Sequence, residues 1–462
     1  MLSALNDFLW GQFLIVALIA VGLFFTVSSR FVQFRYFGRM FGVLRSAMHR
    51  ETGRISSFQA LVVSVAGRVG SGNIAGVAVA ITLGGPGAIF WMWVIGLMGM
   101  ATSFFECSLA QLYKRVDPEG NFRGGPAYYL SRGIGQQWLA LIYSVLLLVT
   151  FGFGFNAVQS YVVATSVNAS FGVPTWITGL VMVVLLGATI FGGMKRIAVV
   201  SEIIVPVMAI GYLLCAVLVI GMNIGEVPNV LATIVRSAFG LDSAIGGGIG
   251  VAILQGVKRG LFSNEAGLGS APNVAAVAYV RHPVSQGIVQ AFSVFIDTIV
   301  MCTCTAIIIL LSDVYQPGAQ NISGVTLTQD ALASHVGAWG GGFVSIALLL
   351  FAFSSIMYNY YLGENSLNYF SENNKKMFNV FRVMVLALIF WGSLQDLGTV
   401  FAFADVTMGL LAVVNLIGLV WMARIGMRLL RDYDQQLRSG VEPRLKLEDY
   451  SDLDIDEAAW RD

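Results

Sequence analysis

The sequence predicts an all-α integral membrane protein with eleven transmembrane helices, on three observations. Of its 462 residues, 56% are hydrophobic and only 11% charged, less than half of the roughly 25% charge of soluble domains. Apolar runs near the ~20 residues that a spanning helix needs recur along the chain. Lys and Arg gather in alternate connections. A net charge of +1 supplies no field for a phosphate backbone, so a nucleic-acid partner is excluded. No obligatory protein partner is evident either. The 52 glycines exceed the usual ~7% and point to close helix packing or broken helices.

The first run covers 9–29. Asp7 stands where a signal peptide carries Lys or Arg, and no small-residue cleavage site follows. Residues 1–30 are therefore expected to hold a retained, extra N-terminal helix. The other runs are 57–82, 88–112, 138–166, 174–193, 199–222, 246–275, 284–311, 341–369, 378–394 and 398–423. Arg30, Arg35, Arg39, Arg45, Arg50 and Arg54 fill the first connection. Lys114, Arg115, Arg123 and Arg132 fill the next one on that side, followed by Lys195, Arg196, Arg281, Lys375, Lys376 and Arg382. Connections near 167–175, 312–340 and 395–397 hold neither Lys nor Arg. That asymmetry places the N-terminus outside and the C-terminus in the cytoplasm. The stretch 424–462, basic then acidic, reads as a peripheral or mobile cytoplasmic tail without chemistry. Cys107, Cys215, Cys302 and Cys304 lie inside apolar runs and form neither a metal pattern nor a disulfide framework.

Two runs look broken. The second contains Arg68-Val69-Gly70-Ser71-Gly72-Asn73 and then Gly76. Each glycine costs about 1 kcal/mol in helix propensity, and unwound backbone at membrane depth survives only inside protein or along a cavity. The seventh carries Gly246-Gly247-Gly248 and then Gln255 to Glu265, with Lys258, Arg259 and Gly260 between. Setting the first helix aside, these are helices one and six of a ten-helix core. They hold corresponding places in two five-helix halves, 57–222 and 246–423. An odd helix number inverts one half against the other, and paired interrupted helices in inverted halves point to a secondary transporter's midplane site. Glycines that merely let helices pack are the alternative.

Such a break suits an amino acid and a cation. Half-helix N-termini offer N–H groups to a carboxylate, and the opposite ends offer carbonyl oxygens. Ser354, Ser355 and Asn73 are candidate partners. Glu106, Glu202, Asp297 and Glu364 lie within or near spans, where carboxylates are paired or functional. Pairing is the expectation, with Glu265 or Glu106 as partner for Arg68. Trp91 and Trp93 read as packing and interface anchors.

Gly70-Ser71-Gly72-Asn73-Ile74-Ala75-Gly76, Gly84-Gly85-Pro86-Gly87-Ala88-Ile89-Phe90-Trp91-Met92-Trp93, Gly124-Gly125-Pro126-Ala127-Tyr128-Tyr129 and Phe262-Ser263-Asn264-Glu265-Ala266-Gly267-Leu268-Gly269-Ser270 resemble the alanine or glycine:cation symporter family over about residues 8–425. The resemblance implies a LeuT-type 5+5 fold, Na+-coupled uptake of small neutral amino acids such as alanine and glycine, and a bacterial plasma (inner) membrane. It implies substrate contacts at Gly70, Gly72, Asn73, Asn156, Gln159 and Phe262, the last walling the pocket after the second break. It implies a Na+ site of Ser354 and Ser355 with carbonyls near Ala66 and Val69. Packing, capping and helix-bonding roles are the alternatives for these residues. One departure is Asn359, where alanine and glycine carriers of the family have Trp. Asn leaves room for a larger, polar substrate such as glutamine or asparagine. Proton coupling stays open. A channel would use carbonyl rings and a repeated pore, and an enzyme would need a nucleophile–base pair or a nucleotide loop; neither pattern is present.

Overall fold

A computed structural model describes residues 6–47, 54–241, 248–316, 324–372 and 374–460. Gly246 and Gly247, Arg50 and His49 lie outside the described residues. The protein is a helical bundle whose strands, among the described residues, are the two-residue β1 (Arg115–Val116) and β2 (Phe122–Arg123), paired antiparallel.

Helices lie over all eleven expected stretches. A π turn at Leu9–Phe13 leads into α1 (Leu14–Ser28); after α2 (Phe37–Ala47) come α3 (Ser57–Arg68), α4 (Val77–Gly84) and α5 (Gly87–Leu112). Next are α6 (Gln137–Phe171), α7 (Thr175–Ile190), α8 (Gly193–Met222) and α9 (Val227–Ala238). α10 (Gly248–Asn264) and the short α11 (Ser270–Ala275) precede α12 (Pro283–Leu310) and α13 (Val325–Val336). The chain closes with α14 (Trp339–Phe370), α15 (Lys375–Gly392), α16 (Leu397–Trp421) and α17 (Ala423–Arg438). Six of these, α5, α6, α8, α12, α14 and α16, are long and apolar enough to cross a bilayer; α3 and α4 together make a seventh, bent by 47°. This is a multi-pass membrane protein. α9 carries Arg236 in its last turn.

Sequence explains the first break directly. Ser56 and Gln59 form a reciprocal capping box that starts α3. The helix then runs to Arg68 and stops at Val69, whose φ, ψ of −77°, 91° are extended. A π turn over Gly72–Gly76 restarts it.

The second break is displaced from the expected place. α10 runs unbroken through Gly256 and Gly260, and the chain unwinds only after Asn264. The two glycines instead face α5: a Cβ on Gly256 would stand 2.5 Å from the Ala88 carbonyl and the Trp91 Cβ, and one on Gly260 2.5 Å from Ile95. Small residues at a helix seam let backbones approach, so here the packing reading holds. The unwinding falls where Glu265, Gly267 and Gly269 take φ of 55°, 89° and 81°, a region glycine enters without strain. Phe262 therefore precedes the second break rather than following it.

Buried charges also depart from expectation. Arg68 forms no ion pair with Glu265 or Glu106 among the described residues. Its guanidinium donates to the Gln290 carbonyl at 3.1 Å, to Ser103 Oγ at 2.9 Å and to Ser293 Oγ, clasping α5 to α12. Glu106 accepts from the Gly267 N–H and Asn415, and Glu202 from Gln59. Glu364 pairs as expected, with Arg382 at 3.6 Å and Arg123 at 4.0 Å.

The C-terminal stretch is not loose. Ala423, Gly426, Leu429, Leu430 and Tyr433 form the buried stripe of α17, the 3.6-residue period of an amphipathic helix. Its acidic end then straps the basic loops. Asp452 pairs with Arg428 at 2.8 Å, Asp454 with Arg132, and Asp456 accepts the Val116 N–H. Trp460 and Phe122 each lie 4.2 Å from Lys114 Nζ, a cation–π sandwich, and Trp460 donates to the Leu112 carbonyl. Burial, then the neighbouring Arg54, push the Lys114 ammonium down to about 7. Deleting 447–460 should uncover this amine. Peptide mass spectrometry after treatment with an amine-acylating reagent should find Lys114 modified in the truncated protein and protected in the full chain. Protection in both would show that the strap is not its cover.

Candidate functional site

The site grows from the first break. In a continuous helix the Gly70 N–H would bond the Ala66 carbonyl and the Ser71 N–H the Gly67 carbonyl. The extended Val69 removes both bonds, leaving two donors and two acceptors to find other partners. The Gly70 N–H donates to Asn73 Oδ1 at 2.8 Å and the Ser71 N–H to Gln159 Oε1 at 3.2 Å. On the other side, Ser355 Oγ donates to the Ala66 carbonyl at 2.9 Å and lies 3.4 Å from that of Gly67; Ser354 Oγ lies 3.4 Å from Ala66 O. One break thus sets a pair of freed N–H donors and a pair of freed carbonyl acceptors back to back.

Packing explains why glycine is needed. A Cβ on Gly70 would stand 2.5 Å from Ser355 Oγ and 3.0 Å from Gln159 Nε2; one on Gly72 would stand 3.1 Å from Ser263 Cα and 3.2 Å from the Phe262 ring. The Phe262 ring packs at a tilt against Phe155 and Phe401, with centroids 4.7 and 5.5 Å away. On its far side Lys258 and Arg259 each reach Asp405 at 2.7 Å. An aromatic layer capped by ions closes the site toward the Trp10 end, where the Trp10 indole bonds the Asp405 carbonyl.

Of the expected residues, Gly70, Gly72, Asn73, Gln159, Phe262, Ala66, Ser354 and Ser355 meet here. Val69 sits in the break, but its carbonyl meets neither serine among the described residues; Ser355 reaches Gly67 O instead. Asn156 turns back on its own helix, donating to the Gly152 carbonyl at 3.1 Å. Asn359 lies one turn beyond Ser355 on α14, 1% exposed, with neither amide atom hydrogen-bonded among the described residues.

Three further side chains join the cluster. Asn73 Nδ2 donates to Asp297 Oδ1 at 2.6 Å, Ser263 Oγ to Asp297 Oδ2 at 2.9 Å and Thr298 Oγ1 to Asp297 Oδ2 at 2.7 Å. Asp297 was expected to be ion-paired; no base lies within 4 Å of it among the described residues, and hydroxyls and an amide solvate it instead. Ser263 stood in the quoted motif without a role. Asp297 lies in a π segment, Phe295–Cys302, and another, Leu148–Phe155, leads into Asn156 and Gln159. Such turns insert a residue and re-aim side chains, and no periodicity in the sequence announces them.

A helical membrane bundle that buries an unwound segment between hydroxyls, amides and carbonyls defines a cation-coupled solute carrier. The comparisons specify it further: the Sodium:alanine symporter family model matches residues 1–447, and the chain belongs to that family of sodium-coupled transporters. It is 48% identical to the probable sodium/glutamine symporter GlnT of Bacillus subtilis, covering 95% of this chain and 91% of that protein. It is 46% identical to the amino-acid carrier protein AlsT of Bacillus subtilis, covering 99% and 96%. Among solved structures, an Eremococcus coleocola manganese transporter mutant superposes with a TM-score of 0.56 at 12% identity, covering 81% of this chain and 83% of that one. That last likeness concerns the fold alone.

Proposed function

We propose that this chain is a Na+-coupled symporter that imports a neutral amino acid across a bacterial plasma membrane by alternating access. The observation that carries the reading is the shared origin of the donor pair and the acceptor pair, the two half-sites, in one break. A substrate carboxylate displaces the amide oxygens of Asn73 and Gln159 and takes the N–H groups of Gly70 and Ser71, with Gly72 allowing the close approach. These amide oxygens satisfy the donors when no carboxylate does, so the unwound segment never exposes a bare donor. Na+, a hard cation that favours oxygen ligands, takes the carbonyls of Ala66 and Gly67 with Ser354 and Ser355. It also weakens the cost of bringing a carboxylate into a buried site.

In this reading all eleven helices cross the bilayer, N-terminus outside and C-terminus in the cytoplasm, as one extra helix, two inverted halves 57–222 and 246–423, and the tail 424–462. The substrate is a neutral amino acid. Alanine and glycine fit the family description, but the unsatisfied Asn359 amide favours glutamine or asparagine, whose side chain supplies the missing partner. The name of the GlnT relative points the same way.

Uptake of labelled amino acids into proteoliposomes under an inward Na+ gradient, with K+ replacement as control, tests the class; no Na+-dependent uptake of any neutral amino acid would sink it. Uptake driven by a proton gradient alone would reassign the coupling ion. The Asn359→Trp variant tests the substrate. Leaving a buried polar group unpaired costs about 1–3 kcal/mol, and Trp also fills the space. The variant should therefore shift preference from glutamine or asparagine toward alanine and glycine in competition assays. An identical rank order in both proteins removes Asn359 from the pocket.

A further inference from the structure

We infer that a cavity on the face carrying the basic loops binds the phosphate group of an anionic phospholipid. The cavity has a volume of about 570 Å3. Five bases, Arg54, Arg123, Lys195, Lys375 and Arg382, share its lining with two acids, Glu119 and Glu364. Glu364 is already divided between Arg123 and Arg382. Lys195 and Lys375 are exposed and form no ion pair among the described residues. Arg123 also pairs through Nε with Asp117 at 3.4 Å, but its Nη1 is buried without a hydrogen-bond partner among the described residues, a donor left for a further acceptor. A concave wall with an excess of positive charge concentrates its field in the cavity. A basic pocket between helices at the cytoplasmic surface is a setting that takes acidic headgroups.

The surroundings favour a lipid over a soluble phosphate. Phe191 forms part of the lining, with the Arg382 guanidinium 5.1 Å above its ring. From there α15 carries Val380, Val383 and Met384, exposed by 60%, 63% and 48%, beside α7, against which it packs. This is an apolar track for acyl chains starting at a basic mouth. A free anion would use the bases alone, whereas a lipid held by them lays its acyl chains on this bilayer-facing surface.

The test uses the full chain and does not depend on transport. Protein is released from bilayers of equal phosphatidylglycerol and phosphatidylcholine and its retained lipids are read by native mass spectrometry. Wild type should retain phosphatidylglycerol preferentially. Each basic residue near an anionic headgroup contributes a factor of about five, so Lys195→Gln with Lys375→Gln should cut that preference roughly twenty-five-fold. Both side chains are exposed, and an unchanged melting temperature in phosphatidylcholine alone confirms that the variant folds. Equal retention of the two lipids by wild type, or an undiminished preference in the double variant, overturns the proposal. Complete displacement of the lipid by millimolar inorganic phosphate overturns it too, because the site would then be one for a soluble anion.

Discussion

Replacing Gly70 by Ala should reduce transport by about 100-fold while the protein still inserts and folds. The added Cβ would stand 2.5 Å from Ser355 Oγ and 3.0 Å from Gln159 Nε2, so both half-sites must move to admit it. Overpacking of a tight interior costs typically 1–3 kcal/mol, and the upper end of that range corresponds to the stated loss if the strain is relieved by shifting the site. Gly76 supplies the control. It lies in the same buried segment, but its nearest neighbour would be a Phe262 ring carbon at 4.0 Å, so Gly76→Ala should transport nearly as wild type. Initial uptake rates, normalised to reconstituted protein, decide the matter. Equal activity of Gly70→Ala and Gly76→Ala would remove the first break from the binding site. Gly72→Val should also abolish uptake, through Ser263 and the Phe262 ring.

Changing Ser354 and Ser355 together to Ala should raise the Na+ concentration for half-maximal uptake at least ~10-fold, about 1.4 kcal/mol. Substrate affinity at saturating Na+ should change much less, because the carboxylate donors lie on the other side of the break. The two serines are not equivalent. Ser355 reaches both freed carbonyls, at 2.9 and 3.4 Å, whereas Ser354 reaches only Ala66 O, at 3.4 Å. Ser355→Ala alone should therefore reproduce most of the effect. Each serine Oγ also lies within hydrogen-bond distance of the Phe351 carbonyl, at 2.9 and 3.0 Å, an alternative acceptor for its single proton that α14 does not need, since Ala preserves the helix. An unaltered Na+ dependence would move the cation to the oxygen cluster around Asp297.

The parts legible in the sequence are those that a local rule governs. Apolar run length placed the helices, because a bilayer enforces one length scale on every span. The glycines around Arg68 marked a break, and the structure breaks there. The same rule failed at Gly256 and Gly260, because glycine has two uses: unwinding a helix and admitting a neighbour. Only the position of Ala88, Trp91 and Ile95 on α5 distinguishes them. Arg68 illustrates the same limit. A buried guanidinium needs acceptors, but a carboxylate is only one kind, and three neutral oxygens on α5 and α12 satisfy it here.

By itself, then, the sequence determined the class: a polytopic helical protein, a broken helix at Val69–Gly72, and a hydroxyl pair at Ser354 and Ser355. These follow from composition, span length and motifs that act within one segment. The tertiary structure alone decided which groups converge. It brought Gln159, 88 residues away, to the Ser71 N–H and Asp297, 224 residues away, to Asn73, and it left the Asn359 amide unpartnered. It also bound the acidic C-terminal strap to the basic loops. The physical reason is that a buried polar group must find a partner wherever the packing of helices puts one, and that packing is set by side-chain shape across several helices at once.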